Sequence, residues 1–496
     1  MKTIFLTILI GAFTMITAQS LDESRIVKVF SQFDPSISIR IVFNAGAQYD
    51  PVGKEGLSYL TAQMISDGAS KVNTRSEILE KLFPLAASFS MNTSREVSVF
   101  CGRVHKDNFK PYYELFIQQI LSPAFNEDDF KRIKQNTLNY LTTTLKYSSD
   151  EELGKAALYN FIYAGTPYSN PIQGTEAGIK SISIEDVKAF YAKYYNRSNF
   201  VLGIGGGYEK ELISVLWNDL EKLSDGNLAA APKISAKEIT GRELVIVDKG
   251  AAATAISIGF PINIVRGQKD WYALAIANSW LGEHRNSSSH LYQVIREIRG
   301  LNYGDYSYIE HYPNGGSLNK PPVNVPRRQH IFEIWIRPVP NETAHFALRA
   351  ALRELKLLID NGLTQEQFAA TRDFLKKYIL HYAPTTNMRL GYALDDKFYG
   401  LNESHLARYR KALETLTLSD VNSAIKGYLQ YDKLKIAVIT GNGESLLKQI
   451  CEEQESPISY SSAKNQEVLN EDKFISIFPL GIKIDNAKIL TLDKLF

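Results

Sequence analysis

The sequence predicts an α+β fold made of two homologous domains, each an antiparallel sheet covered by helices. The chain has 496 residues, more than one hydrophobic core usually holds. Short motifs recur once along the chain at a nearly constant offset. Each half also presents the same order of apolar strands and amphipathic helices. Together these observations indicate a tandem pair of related domains.

The internal repeat is clearest in the helical parts of the chain. Residues 126–130, Asn-Glu-Asp-Asp-Phe, recur as residues 364–368, Thr-Gln-Glu-Gln-Phe. Leu153-Gly154 recurs as Leu390-Gly391. The copies lie 234 to 238 residues apart throughout, which indicates one duplicated unit rather than scattered similarity.

Each half is expected to begin with a strand and a helix and to end with a strand. The predicted first strands are residues 37–44 and 255–260, and the helices that follow are residues 56–66 and 270–281. Later helices begin at capping signals, because Ser183 and Thr417 each stand three residues before an aspartate. The closing strands are predicted at residues 199–205 and 434–440.

The boundaries of these units follow from the repeat and from changes in composition. Ala229-Ala-Ala-Pro232 is the best candidate for a linker. Residues 452–470 are polar and are expected to be irregular, and residues 475–496 are expected to lie over the body as an extended arm. The predicted division is a signal peptide (1–18), a first domain (19–228), a linker (229–239), a second domain (240–450) and a tail (451–496).

The first residues are typical of a secretory signal peptide. Lys2 gives a short positive start, an apolar run follows to Ile16, and small residues precede a cut expected near Ala18. The apolar run is short for a membrane anchor, and no long uncharged apolar run follows it. We therefore expect an extracytoplasmic, periplasmic or secreted protein without a transmembrane segment after signal removal.

Composition and charge exclude some functions. With 56 basic and 54 acidic residues and no dense basic block, the chain is not expected to bind nucleic acid. The two cysteines, Cys101 and Cys451, are far apart in sequence, and the sequence leaves open whether they pair.

A predicted helix, turn and strand in the second half carries two candidate functional residues. Leu291, Val294, Ile295 and Ile298 recur at helical spacing, and Gly300 suits the left-handed position that ends a helix. Arg296 lies away from the apolar stripe, and Tyr303 opens the strand expected at residues 303–309. A guanidinium and a phenol aimed into one cleft can hold a peptide carbonyl and stabilise an oxyanion.

The chain resembles the pitrilysin/insulinase (M16) peptidase family over nearly its whole mature length. Residues 43–64 resemble the family's opening strand, Gly-Leu turn and helix, and Tyr168-Ser-Asn-Pro-Ile-Gln-Gly-Thr175 looks like its first-half signature. Residues 291–306 look like the second-half signature. The resemblance implies two tandem α+β domains of the LuxS/MPP-like type and, in most members, a zinc-dependent endopeptidase.

The zinc motif of the family, His-x-x-Glu-His, is missing. Tyr59, Ala62 and Gln63 occupy the positions of its two histidines and its glutamate. A phenol, a methyl group and an amide supply neither neutral imidazole ligands nor a carboxylate base. The family's third ligand, a glutamate on a later helix, has no counterpart between Glu127 and Glu151. No two of the eight histidines share the zincin spacing, so we expect no metal on this chain.

What survives is the pair that family members use to grip and polarise the substrate. In the family an Arg and a Tyr of the second domain do this, and Arg296 and Tyr303 match their spacing. In the heterodimeric branch, as the resemblance implies, one subunit carries zinc and its partner supplies this pair across a closed chamber.

The leading hypothesis is therefore a noncatalytic subunit of an extracytoplasmic M16-type metallopeptidase complex. It would bind a peptide or unfolded polypeptide and present Arg296 and Tyr303 to a partner that carries the zinc motif. One alternative is a peptide-binding or scaffold protein in which both residues are inert. An autonomous zinc metalloendopeptidase conflicts with Tyr59, Ala62 and Gln63.

Overall fold

The computed structural model describes residues 21–313 and 318–496. The predicted signal peptide lies outside the described residues, so the localisation it implies stays a prediction. Within the described ranges, no helix is long and apolar enough to cross a bilayer. Cys101 and Cys451 are both free thiols.

The first half contains a five-stranded sheet. Its strands in sequence order are β1 (Ile26–Phe30), β2 (Ser36–Phe43), β3 (Ser88–Thr93), β4 (Ser98–His105) and β5 (Phe200–Gly206). In space they are ordered β1-β5-β2-β4-β3, so β3 is an edge strand. The β1/β5 pair is parallel and the other pairs are antiparallel.

The second half repeats this arrangement with one added strand. Its strands are β6 (Arg242–Asp248), β7 (Ala253–Ile262), β8 (Asp305–Tyr308), β9 (His330–Pro340), β10 (Leu434–Thr440) and β11 (Ala487–Thr491). The spatial order is β11-β6-β10-β7-β9-β8. The C-terminal arm contributes β11, which extends the sheet parallel to β6.

Helices cover both sheets. Two short segments, Tyr140–Ser148 and Tyr292–Glu297, are π-helical. The first eight α-helices are α1 (Leu57–Asp67), α2 (Arg75–Leu82), α3 (Phe109–Leu121), α4 (Glu127–Asn139), α5 (Asp150–Ile162), α6 (Glu176–Ser181), α7 (Ile184–Tyr194) and α8 (Glu211–Leu220). The second half has α9 (Lys269–Gly282), α10 (Ala344–Asn361), α11 (Gln365–Tyr378), α12 (Thr386–Phe398), α13 (His405–Thr415), α14 (Leu418–Tyr428), α15 (Gly443–Cys451) and α16 (Gln466–Ser476).

The fold class is confirmed, with three corrections of detail. The sheets are mixed rather than purely antiparallel, because β1 and β6 each join the sheet through parallel pairs. The polar tail is not irregular throughout, since α16 begins at Gln466 inside the segment expected to lack regular structure. The helix that carries Arg296 is π-helical, which the spacing of its apolar residues does not distinguish from an α-helix.

One helix of each half packs on the sheet of the other half. α5 of the first half packs on β7 and β10 of the second sheet, and α12 of the second half packs on β1 and β5 of the first. Gly391 permits this approach, because a Cβ at that position would stand 2.4 Å from Nη1 of Arg40 and 2.5 Å from Val323. Gly154 and Gly391 occupy matching places in the repeat, and each faces the other half's sheet or its neighbours.

The Pro-rich, basic segment at residues 319–328 lies between the halves, where Asn324 and Arg327 are buried while Asn319 and Arg328 are exposed. Asn324 is 4% exposed and its backbone N–H donates to Asp395, while its side chain accepts from Arg40 of the first half. Arg328 pairs with Glu96, which is buried near the end of β3.

Candidate functional site

Helix α1 carries the positions that correspond to the family's zinc motif. The Asp50 side chain stabilises the start of the helix, because it accepts hydrogen bonds from the backbone N–H groups of Gly56 and Ser58, both at 2.7 Å. Gly56 precedes the helix with a φ of 103°, in the left-handed region. Its buried stripe includes Leu57, Leu60, Thr61 and Met64, and Ser58, Ala62 and Ile65 are buried as well.

Tyr59 and Gln63 face away from that stripe and contact each other. The Gln63 side-chain amide donates to Tyr59 Oη at 3.0 Å, while Ala62 is fully buried. Burial raises the pKa of Tyr59, opposed by the hydrogen bond from Gln63, so the phenol is neutral at physiological pH. The structure thus brings Tyr59 and Gln63 together, but as a hydrogen-bonded pair without a carboxylate or an imidazole.

Tyr140 lies beside this pair. Burial, and to a smaller extent Glu152 and the nearby Tyr59, raise the pKa of Tyr140. Within residues 21–313 and 318–496, no cluster of three or more His, Cys, Asp or Glu side chains is arranged to hold a metal ion. The residues present therefore do not fit the family's zinc ion, since phenol and amide side chains do not supply its ligand set.

A groove of about 520 Å³ runs beside Gln63, between α2 and the edge strand β3. Leu79 and Phe83 stand on its α2 side and are 50% and 87% exposed. Ser88–Met91 of β3 form the opposite wall. Because β3 pairs only with β4 in the described sheet, its outer backbone groups can pair with an extended ligand.

This groove was not predicted from the sequence, although the sequence carries one signal of it. Leu79 in α2 and Phe83 directly after it are spaced four residues apart, and each follows a buried residue, Ile78 or Leu82. Apolar side chains on the outer face of a short helix indicate a binding surface when they stand together.

Arg296 is half-buried near the end of its π-helical segment. Two backbone hydrogen bonds connect the following turn to this segment. Gly300 N–H donates to the Arg296 carbonyl at 2.7 Å, and Leu301 N–H donates to the Ile295 carbonyl at 3.3 Å. Gly300 has a φ of 69°, as its predicted helix-ending role requires. The guanidinium lies 4.7 Å from the centroid of the Tyr292 ring and pairs with Glu297.

Tyr303 stands at the tip of a turn held by Asn302. The Asn302 side chain accepts from Gly304 N–H at 3.1 Å and donates to Asp305 and to the Arg337 carbonyl. These bonds fix the backbone on both sides of Tyr303, yet the Tyr303 residue is 78% exposed. Its phenol is therefore presented outward from a rigid turn.

The structure does not bring the candidate residues into one group. In the part of the chain that the structure describes, no hydrogen bond, ion pair or ring contact joins Arg296 to Tyr303, or either of them to Tyr59 and Gln63. The nearby Tyr306, Tyr308, Tyr312 and Trp335 are buried and form an aromatic cluster.

Comparisons with known proteins agree with the resemblance in the sequence. Residues 25–176 match the model of insulinase (peptidase family M16), and residues 181–375 match the model of the peptidase M16 inactive domain. A non-peptidase homolog, YmxG, of Helicobacter pylori is 22% identical over 89% of this chain and 99% of its own length. An uncharacterized zinc protease of Rickettsia bellii is 25% identical over 65% of this chain and 71% of its own length.

Solved structures agree on the fold. The peptidase M16 inactive domain from Pseudomonas fluorescens superposes with a TM-score of 0.73 at 23% identity, covering 84% of this chain and 95% of that one. A protease from Helicobacter pylori gives a TM-score of 0.72 at 17% identity, covering 84% of this chain and 96% of that one. With both halves matched by models of one family, the chain belongs to the M16 (insulinase) peptidase family.

Proposed function

We propose that this chain is the noncatalytic subunit of an extracytoplasmic M16-type metallopeptidase complex. In this proposal it binds an extended peptide in the groove along β3 and presents Arg296 and Tyr303 to a partner that carries the zinc motif. The zinc ion and the base are expected only on the partner. The proposal draws on the family assignment and on three features of this chain.

The first feature is the pairing of Tyr59 and Gln63 beside an open groove. The helix that would hold zinc carries no ligand set, yet the groove next to it has an unpaired strand edge and exposed apolar side chains. An edge strand binds a peptide through main-chain hydrogen bonds, and apolar side chains such as Leu79 and Phe83 add selectivity. Peptide binding therefore needs no metal on this chain.

The second feature, which carries the proposal, is the outward presentation of Tyr303. Tyr303 is 78% exposed at the tip of a hydrogen-bonded turn, so it buries little of its surface within its own chain. A phenol held in this way can donate a hydrogen bond to an oxyanion that forms on another subunit's metal. Arg296, stacked on Tyr292, supplies a cation close by in the same helix-turn-strand unit.

The third feature is the amino terminus, whose sequence is typical of a secretory signal peptide. It supports assembly with the partner outside the cytoplasm.

The test is to purify the mature chain from its native extract and to identify what accompanies it. The proposal expects a second M16 chain with an intact His-x-x-Glu-His motif and zinc in proportion to that chain. It also expects peptidase activity in the complex and none in either chain alone. Peptide cleavage by the isolated chain with stoichiometric zinc would reject the proposal.

A second candidate function is favoured by one observation. The Arg296 guanidinium is paired with Glu297 and does not contact Tyr303, which suits a scaffold or peptide-binding protein in which neither residue acts on a substrate. In that case the groove would bind peptides, but an Arg296→Ala variant would leave the activity of any reconstituted complex unchanged.

A further inference from the structure

A second cavity, of about 120 Å³, lies between the two halves of the molecule. Its first-half wall comes from the π-helical segment that contains Tyr140, from α5 and from the turn between β3 and β4. Its second-half wall comes from β9 and from the buried segment before it. The rim includes Ile172 and Gln173, which are half-buried.

Two buried arginines face this cavity. Arg95 is 5% exposed and Arg327 is 1% exposed. Their guanidinium carbons lie 5.1 and 5.3 Å from the centroid of the same ring, that of Tyr159. Arg95 Nη1 donates to the Asn170 carbonyl at 2.8 Å, but Nε of both arginines and Nη1 of Arg327 have no hydrogen-bond partner.

Neither guanidinium forms an ion pair with any described residue, which is unusual for a buried cation. A buried charge is normally paired or hydrogen-bonded, because its desolvation is otherwise very costly. Burial and the neighbouring Arg327 lower the pKa of Arg95 to about 9, so it still carries its charge at neutral pH. The pair therefore forms a concentrated positive site.

The other charged groups in the lining do not cancel this site. Lys155 is paired with Glu152 at 2.7 Å and with Glu151 at 3.2 Å, and Glu151 also pairs with Arg337 at 3.1 Å, so these four charges offset one another. Glu333 is 1% exposed, and neither of its carboxyl oxygens has a hydrogen-bond partner. Burial raises the pKa of Glu333 to about 7, so near neutrality it offsets at most one of the two arginine charges.

The excess of one to two positive charges in a small cavity matches a monoanion. The planar guanidinium fork fits a carboxylate well, since two parallel N–H groups can reach both of its oxygens. A phosphate dianion is less suitable here because Glu333 and Glu152 also face the cavity. The chemistry of the lining thus favours a single carboxylate.

The cavity also lies close to the groove. Arg95 stands in the turn directly after β3, the strand that forms one wall of the groove. Tyr140 lines the cavity and neighbours Tyr59, whose hydroxyl accepts from Gln63 in the groove. A ligand extended along β3 therefore approaches the cavity at the Thr93 end of the strand.

We propose that Arg95 and Arg327 bind one carboxylate of the ligand that lies along β3. The carboxylate is either the C-terminal group of a peptide or an acidic side chain. This inference rests on the proposed peptide binding for the identity of the ligand, while the site itself is defined by the two buried arginines.

The test compares three fluorescent peptides of one sequence on the full mature chain, by anisotropy. The first has a free C-terminus and no acidic side chain, the second is amidated and contains one glutamate, and the third is amidated and neutral. At least one acidic peptide should bind about tenfold tighter than the neutral one, since charge-assisted hydrogen bonds are the stronger kind. Which of the two gains affinity identifies the source of the carboxylate.

Variants locate the effect. Arg327→Gln and Arg95→Gln should each remove the preference for the acidic peptide while the affinity for the neutral peptide stays as in the wild type. The matched control is Arg410→Gln, which removes an exposed arginine and should keep the preference. An unchanged affinity for the neutral peptide shows that each variant is folded. Two variants are used so that the test still stands if one of them fails to fold.

The outcomes separate this inference from the proposed function. Equal affinity of wild type for all three peptides overturns the inference and leaves peptide binding standing. If the wild type binds none of the peptides, the proposed function is overturned. The carboxylate site is then tested by itself, by comparing the thermal unfolding midpoint in sodium acetate with that in sodium chloride at equal ionic strength. Stabilisation of wild type and Arg410→Gln but not of Arg327→Gln supports a carboxylate site, and no stabilisation overturns it.

Discussion

At the scale of single residues, the environment of a side chain decides what its chemistry can contribute. Tyr59 and Tyr303 are both phenols at positions that the sequence resemblance singles out. Tyr59 is partly buried and hydrogen-bonded to Gln63, whereas Tyr303 is exposed on a turn that Asn302 holds in place. Of these two phenols, Tyr303 is the more exposed and is the one presented outward.

Tyr303→Phe is expected to lower kcat of the reconstituted complex by about 100-fold, because loss of one oxyanion donor typically has an effect of this size. The fold should be unaffected, since the phenol is exposed. The measurement is steady-state peptide cleavage with the zinc-bearing partner. Tyr147→Phe, which alters another exposed tyrosine, is the control. Full activity in Tyr303→Phe would favour the scaffold alternative.

His345 should make stability depend on pH. It is 3% exposed, and burial, with a smaller effect of Arg349, lowers its pKa to about 3. The unfolded chain binds this proton near pH 6.5, so stability is present above that pH and is lost as the pH falls toward 3. Between pH 7.5 and 5 the loss amounts to about 2 kcal/mol.

The check is to measure denaturant midpoints of wild type and His345→Leu at both pH values. The variant should lose less stability on acidification than wild type does. His105→Leu removes an exposed histidine and should behave like wild type. Identical acid sensitivity in His345→Leu and wild type would show that His345 does not titrate as its burial implies.

At the scale of elements, the groove lies between a helix with exposed apolar side chains and a strand with an unpaired edge. α2 begins at a capping box formed by Thr74 and Glu77, so its position is fixed although Leu79 and Phe83 remain exposed. β3 has one free edge. A ligand that adds a strand to β3 would cover both features at once.

Phe83→Ser is therefore expected to weaken binding of an extended peptide roughly tenfold, since it removes apolar contact area at little cost to the fold. Leu79→Ser should have a smaller effect, because Leu79 is less exposed. Calorimetric titration with one peptide provides the measurement. Leu228→Ser, an exposed leucine far from the groove in sequence, is the control. If Phe83→Ser binds as wild type does, the groove is not the binding site.

Elements with strong local signals could be predicted from the sequence, and others could not. The strands predicted at residues 37–44 and 255–260 are observed as Ser36–Phe43 and Ala253–Ile262, because apolar patterning and turn residues agree there. Helix α16 was missed because its exposed surface is polar. The buried Arg95 and Arg327 gave no signal, since arginines far apart in sequence are ordinarily solvated.

At the scale of the whole molecule, the duplication explains both the layout and the exchange of helices. Apolar periodicity shows which face of a helix is buried, but it does not show which sheet covers that face. The sequence therefore predicted two self-contained domains, whereas α5 and α12 each pack on the sheet of the other half. The proposed domain boundaries themselves stay a prediction.

Gly391→Ala should destabilise the protein by about 1–3 kcal/mol, because the added methyl group would crowd Arg40 and Val323 where α12 meets the first half. The matched control is Gly427→Ala in α14, where a Cβ has open space and a gain of about 0.5–1 kcal/mol is expected. Denaturant unfolding measures both. Equal stability of the two variants would contradict tight packing at the exchanged helix.

The reciprocal packing of α5 and α12 also bears on biosynthesis. While the ribosome is still producing the second half, the outer surface of β1 and β5 lacks the helix that will cover it, because α12 is made late in the chain. A nascent or truncated polypeptide that stops before Thr386 would therefore expose apolar surface to chaperones and proteases. Quality control should consequently recognise incomplete chains readily, and the N-terminal part should not mature on its own.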